Sequence, residues 1–476
     1  MDILEVVENN TYEEIINSNE YTKASKKNAG LKYTYRRVCT LVLIMLATVS
    51  FFVAWYNFVQ DNNYTGNLTG RGNLLLALFI YVILYYTVGR GIRAFNIGAE
   101  RLTNITVAQI LTVFVVDAAE IFISMAIQNN WRYLHRLLLV YAVLFLVQCV
   151  LLGIISVGMV HVYFRLFPPI DILEIYSRPN GVYEKLNRIG VKYRITEKIN
   201  PKDFNYGEIK KKIDAHEAVL INDLPSKQKN RIVKICFDLD KRVYVVPKLS
   251  DIIMKSSENI NLIDTPMFMC RNREITPIQR FVKRTMDLVF SIMALVFFSP
   301  VMLVTAIAIH MEDKGPVFFR QERVTEGGRH FQIIKFRSMK CGGDSLTPTK
   351  DDDDRITKVG HIIRKLRIDE LPQFFNIIKG DMSIVGPRPE RYEHVEKYSK
   401  LIPEFKFRAK MKGGLTGYAQ VYGRYNTSAL DKLKLDLFYI TNYSIITDIQ
   451  IIFETVKILF LKESTEGFHN SGRLPE

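Results

Sequence analysis

The sequence predicts an α-helical membrane bundle at the N-terminus, a small parallel α/β domain in the middle, and a second α/β domain that begins with a re-entrant membrane helix. Three observations carry this. Four predominantly apolar stretches lie between residues 38 and 162, the pattern changes to short β-rich runs from Asp171, and a fifth apolar stretch, Leu288 to Ile309, holds Ser299-Pro300 near its midpoint between two basic flanks. With 24% charged and 48% hydrophobic residues over 476 positions, disordered and collagen-like chains are excluded. The net charge of +15 suits nucleic acid, an anionic membrane surface or phosphorylated substrates until the charge is located. Five scattered cysteines with no CxxC pair argue against a disulfide framework or a zinc site.

Residues 1 to 37 are polar and end in a basic cluster from Lys23 to Arg37, too long and too charged for the n-region of a secretory signal, so the first apolar stretch is expected to stay in the protein. Val38 to Val59, Leu74 to Gly89, Ile105 to Ile127 and Leu137 to Val162 each approach the roughly 17 to 25 residues of a spanning helix, the second being the shortest. The loops after the second and fourth stretches carry Arg90, Arg93 and Arg101, then Arg165 and Arg178, against Arg71 in the first loop and Arg132 and Arg136 in the third. The positive-inside rule then puts the N-terminus and everything after Val162 in the cytoplasm. Asp117 and Glu120 share one face of the third stretch, where a structural role paired with interfacial arginines is expected. The sequons at Asn63 and Asn67 matter only in a secreted eukaryotic chain.

From Asp171 to about Met267, β-rich runs at Asp171 to Tyr176, Val191 to Ile195, Ala218 to Ile221 and Arg242 to Val246 alternate with polar helical stretches, the pattern of a small parallel sheet. Its first turn reads Tyr176-Ser-Arg-Pro-Asn-Gly181, without the glycines that let backbone amides approach a pyrophosphate, so a structural or regulatory role is expected. The fifth apolar stretch is long enough to cross, and a fifth crossing is the alternative reading. Lys283 and Arg284 precede it while Lys314, Arg320 and Arg323 follow it, however, so crossing would put the most basic part of the chain outside. Pro300 removes an amide donor and the Ser299 hydroxyl can satisfy the freed carbonyl, so a sharp bend within the bilayer is expected, a re-entrant helix-break-helix that enters and leaves by the cytoplasmic face. The predicted boundaries are a cytoplasmic segment 1–37, a transmembrane region 38–165, a middle domain 166–275 and a C-terminal domain 276–476.

The C-terminal domain concentrates side chains suited to phosphate: Arg320, Arg323, Gly327-Gly328, Lys335 and Arg337. Alternation over Phe331 to Arg337 predicts a strand with Lys335 and Arg337 on one face, which suits a diphosphate; a basic face resting on anionic lipid is the alternative. Ile356 to Arg367 reads as a helix with an apolar stripe at Ile356, Val359, Ile362, Ile363 and Leu366 and a cationic face of Arg355, Lys358, Arg364, Lys365 and Arg367. Asp369-Glu370-Leu-Pro-Gln373 follows, Pro372 opening and Gly380 closing the next helix, so both carboxylates lie at its positive end and are expected to stay ionised. Such a pair can hold Mg²⁺ together with substrate phosphates, or offer an aspartate as nucleophile toward phosphorus; ordinary helix capping produces the same dipeptide. Asp351 to Asp354 read as a solvated turn, His330 and His361 as lone histidines, and Asp448 to Phe460 as an interfacial or a core helix.

From Arg280 onward the chain resembles the bacterial sugar transferase family, the monotopic phosphoglycosyl transferases. The resemblance is carried by Lys283-Arg-Thr-Met-Asp287, Ser299-Pro300, Gly315-Pro-Val-Phe-Phe-Arg-Gln-Glu-Arg323, Lys335-Phe-Arg-Ser-Met339, Arg364, Asp369-Glu-Leu-Pro-Gln373, Gly380-Asp-Met-Ser-Ile-Val-Gly-Pro-Arg-Pro-Glu390 and Gly414-Leu-Thr-Gly-Tyr-Ala-Gln420 with Gly423-Arg424. The preceding regions resemble the long branch of that family, with four spans and a degenerate Rossmann-like domain. The resemblance implies an α/β catalytic domain on the cytosolic face of the bacterial inner membrane, initiating capsule or exopolysaccharide repeats. It implies that Asp369 attacks the β-phosphorus of a UDP-sugar, expels UMP and passes the phosphosugar to undecaprenyl phosphate. Glu370 would join Asp369 at Mg²⁺, Arg364 would hold a phosphate, and Lys335, Arg337, Arg388, Arg320, Arg323 and Arg424 would contact phosphate or nucleotide. Membrane lipid is the expected surroundings, nucleic acid is not expected, and a homodimer is. Arg367 stands where family members often carry Ser or Thr, which adds charge beside the site. The competing class is a non-catalytic membrane scaffold of polysaccharide assembly, and no residue identifies the hexose.

Overall fold

The computed structural model describes residues 29–62, 71–100, 102–128, 134–177, 192–270, 275–340, 355–423 and 427–459. Arg424, Asp351 to Asp354, Asn63, Asn67 and most of the Tyr176 to Gly181 turn lie outside them. The chain divides into two compact units, 1–247 and 248–476.

In the first unit, α1 (Ala29–Asn62), α2 (Arg71–Gly91), α3 (Leu102–Gln128) and α4 (Leu134–Leu166) form the N-terminal bundle. α1, α3 and α4 are long and apolar enough to cross a membrane, while the apolar part of α2, Leu75–Gly91, is shorter, as the sequence anticipates. Rings fill the interior: Phe51, Trp55, Tyr81 and Tyr85 are fully buried, and Phe51 stacks on Tyr81 with centroids 4.2 Å apart. Leu41, Met45, Phe79, Phe122, Leu146 and Ile154 point outward. An apolar outside around an aromatic and hydrogen-bonded inside is what a bilayer selects, because lipid tails leave apolar side chains nothing to gain by burial. Gln148 Nε2 ties three helices together, its two hydrogens shared among the Ala47 carbonyl (3.1 Å), Ser50 Oγ (2.8 Å) and Tyr81 Oη (3.0 Å).

The expected pairing of Asp117 and Glu120 with arginines does not form. All four carboxylate oxygens are buried without a hydrogen-bond partner among the described residues. At 1.5 Å per residue the two acids lie about 16 and 12 Å inside the Gln128 end of α3 and farther from the other, beyond the reach of an arginine at either interface.

Behind the bundle, β1 (Ile170–Tyr176), β2 (Tyr193–Ile199), α5 (Tyr206–Ala215), β3 (Ala218–Asn222), α6 (Ser226–Asp238) and β4 (Arg242–Val245) build a four-stranded sheet of order β2-β1-β3-β4, parallel throughout. These strands coincide with the four β-rich runs. Leu173, Ile175, Val219 and Ile221 pack on Ile209 and Ile213 of α5 and Ile232 and Cys236 of α6, so the Cys236 thiol is core. An Asn205/Glu208 capping box starts α5 by satisfying amides that a helix start leaves free.

The second unit begins at Lys248. Its first elements are α7 (Leu249–Lys255) and the hairpin β5 (Glu258–Leu262) and β6 (Thr265–Met269), and Ile252 of α7 is buried in its core with Leu433 and Leu437. α8 (Pro277–Asp313) contains the fifth apolar stretch, entered through a Thr276/Gln279 capping box with Pro277 in its first turn. Helical backbone runs through Ser299-Pro300 without interruption. Pro300 cannot donate to the Val296 carbonyl four residues back, and the Ser299 hydroxyl does so instead at 2.8 Å.

Both ends of α8 hold the same α/β body. Near its start, Lys283 donates to the Val385 carbonyl (2.9 Å) and pairs with Asp448 (2.7 Å), Arg284 donates to the Ile377 and Ile378 carbonyls, and Asp287 accepts from Ile384 N (2.9 Å) and Ser383 Oγ (3.0 Å). At its finish, Ile309 packs on Phe336 and Ile363, Glu312 accepts from Lys358 N at 2.7 Å, and Asp313 pairs with Arg337. Between these anchors Phe290, Met293, Val296, Phe297, Leu303, Val304 and Ile307 are exposed.

The body consists of the antiparallel pair β7 (Phe318–Val324) and β8 (His330–Phe336), α9 (Lys358–Lys365), a 3₁₀ turn at Ile368–Glu370, α10 (Gln373–Lys379), β9 (Met382–Val385), α11 (Tyr392–Leu401), β10 (Gly413–Thr416), α12 (Tyr418–Tyr422), α13 (Ala429–Thr441) and α14 (Ile445–Leu459). β9 and β10 pair in parallel so closely behind the strands that a Cβ on Gly414 would stand 2.2 Å from the Gly386 amide nitrogen, which accounts for two of the motif glycines by packing. α14 buries Ile451 in the core together with the charged side chains of Asp448, Glu454 and Lys457, while Ile446 and Ile449 are exposed.

Candidate active site

The site forms where α9 ends. Thr357 caps the start of α9, and at its end Arg367 takes the left-handed conformation (φ 57°) that turns the chain into the 3₁₀ turn carrying Asp369 and Glu370. Gly380, at φ 92°, closes α10 as its position predicts. The apolar stripe of α9 is only partly used: Ile363 is buried, whereas Ile362 and Leu366 face outward.

The two carboxylates have different surroundings. Glu370 Oε1 accepts from Lys335 Nζ at 3.2 Å and from Arg388 at 2.7 Å. This cation pair holds its carboxyl well below the usual carboxylate range, overcoming the opposing effect of burial. Asp369 has no hydrogen bond or ion pair among the described residues; Arg364, Arg367 and Lys335 act on it only at longer range. Burial, and then the Glu370 charge, raise its pKa against the pull of those cations. The two acids thus differ: at Asp369 desolvation outweighs the cationic surroundings, and at Glu370 the cations outweigh desolvation. Burial also lowers the Lys335 pKa against the raising effect of Glu370, while Glu370 raises that of Arg388.

Of the residues chosen from sequence, the structure brings together Asp369, Glu370, Lys335 and Arg388, with Arg364 near Asp369. Arg323 lies beside Arg388, donating to the Pro389 carbonyl (3.3 Å) and Gln321 (2.7 Å), and burial and Arg388 push its pKa down to about 10. Arg337 and Lys335 take different partners. Arg337 follows the last residue of β8, is buried, and pairs with Asp313, its guanidinium filling the space where a Cβ on Gly315 would stand. Arg320 is exposed on β7, and Ser299 and Pro300 lie in α8 as described. His330 bonds Glu322 at 2.8 Å and His361 is exposed, so neither is near the acids by any contact seen.

Sequence reading missed the residues that hold this arrangement. Asn376, the polar residue inside the apolar run of α10, accepts from Ile334 N (3.0 Å) and donates to the Gln332 carbonyl (2.7 Å), fixing the edge of the strand that carries Lys335. Its isolation within that run was the available signal. Arg408, buried on Asp436 at 2.6 Å and near Glu390, donates to the Arg388 carbonyl at 3.0 Å and so fixes the backbone behind the Arg388 guanidinium. Nothing local distinguishes Arg408 from the other cations of its segment.

For a divalent cation the donors fit in part. Glu370 Oε1 takes both cations while Oε2 takes neither, and Asp369 is unpaired. Among the described residues no third His, Cys, Asp or Glu joins them. Mg²⁺, which binds through one or two carboxylates plus substrate phosphates and water, suits such a set better than a metal that needs a protein cage.

The segment that carries these residues is one that known proteins share. The family model for bacterial sugar transferases matches residues 278–462, which contain the whole site. The UDP-N-acetylgalactosamine-undecaprenyl-phosphate N-acetylgalactosaminephosphotransferase of Aeromonas hydrophila is 45% identical over 189 residues, 39% of this chain and 45% of the relative. The UDP-glucose:undecaprenyl-phosphate glucose-1-phosphate transferase of Caulobacter vibrioides is 41% identical over 189 residues, covering 38% and 71%. The exopolysaccharide production protein ExoY of Sinorhizobium fredii is 34% identical over 208 residues, covering 40% and 91%. The chain thus belongs to the bacterial sugar transferase family. With a helical bundle and a parallel α/β domain ahead of the matched segment, it is a long form of that family. The match spans 45% of the Aeromonas relative's length.

Proposed function

We propose that the protein transfers a sugar-1-phosphate from a UDP-sugar to undecaprenyl phosphate, beginning the repeat unit of a capsule or exopolysaccharide. The observation that carries the reading is the unequal pair of acids. An anionic nucleophile gains reactivity when no hydrogen bond or ion pair stabilises its lone pairs, and Asp369 is in that state while its neighbour Glu370 is clamped. In the first step an Asp369 carboxylate oxygen bonds to the β-phosphorus, and the bond from that phosphorus to the bridging oxygen breaks, releasing UMP and leaving the phosphosugar on the carboxylate. In the second step an oxygen of undecaprenyl phosphate attacks the same phosphorus and the Asp369 carboxylate leaves. Both steps bring anions together, so fixed cations account for most of the stabilisation. Arg364, within electrostatic range of Asp369 and without a side-chain partner among the described residues, would hold the incoming phosphates together with Arg388 and Lys335, which are anchored on Glu370. Mg²⁺ on Asp369 and Glu370 Oε2 would neutralise phosphate charge when bound.

The same proposal makes α8 re-entrant, entering and leaving by the cytosolic face of the inner membrane. What supports it is the attachment of both ends of α8 to one α/β body with an exposed apolar surface between them. The polyprenyl tail then stays in lipid while its phosphate reaches the acids.

The test is UMP release from a panel of UDP-sugars by membranes carrying wild type or Asp369→Asn, with undecaprenyl phosphate and Mg²⁺ supplied. Release with one sugar, lost in the variant, is expected and names the hexose; no release from folded protein with any sugar would favour a scaffold. A cysteine introduced at position 404 should react with an impermeant reagent only after permeabilisation, and labelling of intact cells would overturn the topology.

A further inference from the structure

Asp117 and Glu120 are buried acids that this chemistry does not use. Asp117 is 4% exposed and Glu120 0%, and neither has an ion pair or hydrogen bond among the described residues. They lie three residues apart on α3, on a face that meets α4. The register of these two consecutive helices is set where Ser124 and Tyr141 bring their hydroxyls to 3.2 Å. Since the helices run antiparallel, seven residues back on α3 and seven forward on α4 lead from that contact to Asp117 and Gln148. Asp117 also lies within electrostatic range of Cys149 and of Tyr81, the tyrosine that Gln148 bonds. Gln148 directs its donors to α1 and α2, and its Oε1 is buried without a partner.

Two carboxylates and an amide carbonyl on facing turns of α3 and α4 thus leave five acceptor oxygens without a hydrogen-bonded donor among the described residues. Leaving charged carboxylates bare there is very costly. Protonating both acids removes the charge, but each new O–H would need an acceptor, and none of the four carboxylate oxygens has any partner within hydrogen-bond distance. A single cation satisfies several of these oxygens at once. We propose that the N-terminal bundle binds a hard, oxygen-preferring metal cation between Asp117, Glu120 and Gln148, enclosed by the rings of Phe51, Tyr81 and Tyr141.

Trp55, 1% exposed and bonded to Ser124 at 3.1 Å, is a built-in reporter one step from the site. The test uses the full chain in lipid nanodiscs with Trp131→Phe, so that Trp55 is the sole tryptophan. NaCl, KCl, MgCl₂ and CaCl₂ are titrated against choline chloride at constant ionic strength, following Trp55 emission and the thermal midpoint. A saturable change in emission with a rise in midpoint is expected for at least one cation, because a ligand that binds only the folded state stabilises it. The response should persist in Asp369→Asn, which separates it from binding at the C-terminal acids, and vanish in Asp117→Asn and Glu120→Gln. No response to any of the four cations, a response lost in Asp369→Asn, or an unchanged response in both bundle variants would overturn the proposal. Dependence on pH alone in choline chloride would overturn it in favour of protonated acids. Wild type and Asp369→Asn decide the question even if a bundle variant fails to fold.

Discussion

Asp369 and Glu370 stand among Lys335, Arg388, Arg364 and Arg367, whereas Asp117 and Glu120 stand among tyrosines, an amide and apolar side chains with no cation bonded to them. The same two residue types are thus prepared for opposite ligands. Carboxylates ringed by cations make a site that can accept a diphosphate, because the excess positive charge remains after the acids are counted. Carboxylates without cations make a site that repels anions and attracts a cation. Burial raises the energy of both pairs; what differs is which partner relieves it.

The largest effect that tests this contrast is on chemistry. Asp369→Asn keeps the shape of the turn and removes the nucleophile, and UMP release should fall at least about a thousandfold. A loss under tenfold would mean that the unpaired acid is not the attacking group. A second effect concerns Asp448, a third buried acid that has one cation. Lys283→Met would leave it without a counter-charge, held only by the Tyr439 hydroxyl at 2.7 Å, and breaking so buried a pair (side chains 10% and 4% exposed) should cost about 3 to 5 kcal/mol, read as a lowered thermal midpoint. A midpoint within a degree of wild type would show that unpaired acids are tolerated generally, and the bundle pair would lose its significance.

The pH profile gives a smaller and sharper test. The raised pKa of Asp369 means that it holds its proton to a higher pH than an ordinary aspartate, so kcat/KM for UMP release should rise with pH through a value above the model-peptide pKa of about 3.9. Glu370, with its depressed pKa, is already ionised there and adds no inflection. Glu370→Gln removes the like charge and should move the limb to lower pH, and a limb that stays in place would assign it to another group. The smallest effect is at Ser299→Ala, which leaves the Val296 carbonyl without a donor and should cost about 0.6 kcal/mol, the usual size of a hydrogen bond within a membrane helix. A markedly larger loss of midpoint would mean that the hydroxyl does more than replace the proline's missing amide.

Much of the architecture was legible because its signals are local. The apolar stretches, the four β-rich runs, Gly380 as a helix end and the role of Ser299 beside Pro300 follow from length, alternation and backbone chemistry, and each can be read within a few residues. The acids at the start of α10 were legible for the same reason, since a proline two residues after Glu370 marks where a helix can begin. The partner of Arg337 was invisible too: the strand ladder still reaches it, through its amide on the Val317 carbonyl, but its guanidinium pairs with Asp313, 24 residues away, which alternation cannot show. Asn376 and Arg408 were invisible because their partners, Ile334 and Asp436, lie 42 and 28 residues away.

The sequence by itself determined which segments are apolar enough to enter a membrane, where the second α/β body concentrates cations, and which two adjacent acids lie beside them, because these depend on composition and spacing alone. Only the tertiary structure decided that Glu370 is clamped, that Arg337 pairs at the end of α8, and that Asp369, Asp117 and Glu120 have no ion pair among the described residues. Each of those outcomes depends on which side chain arrives within about 3 Å of another, the distance over which a hydrogen bond forms or fails, and that distance is set by packing between segments far apart in the chain.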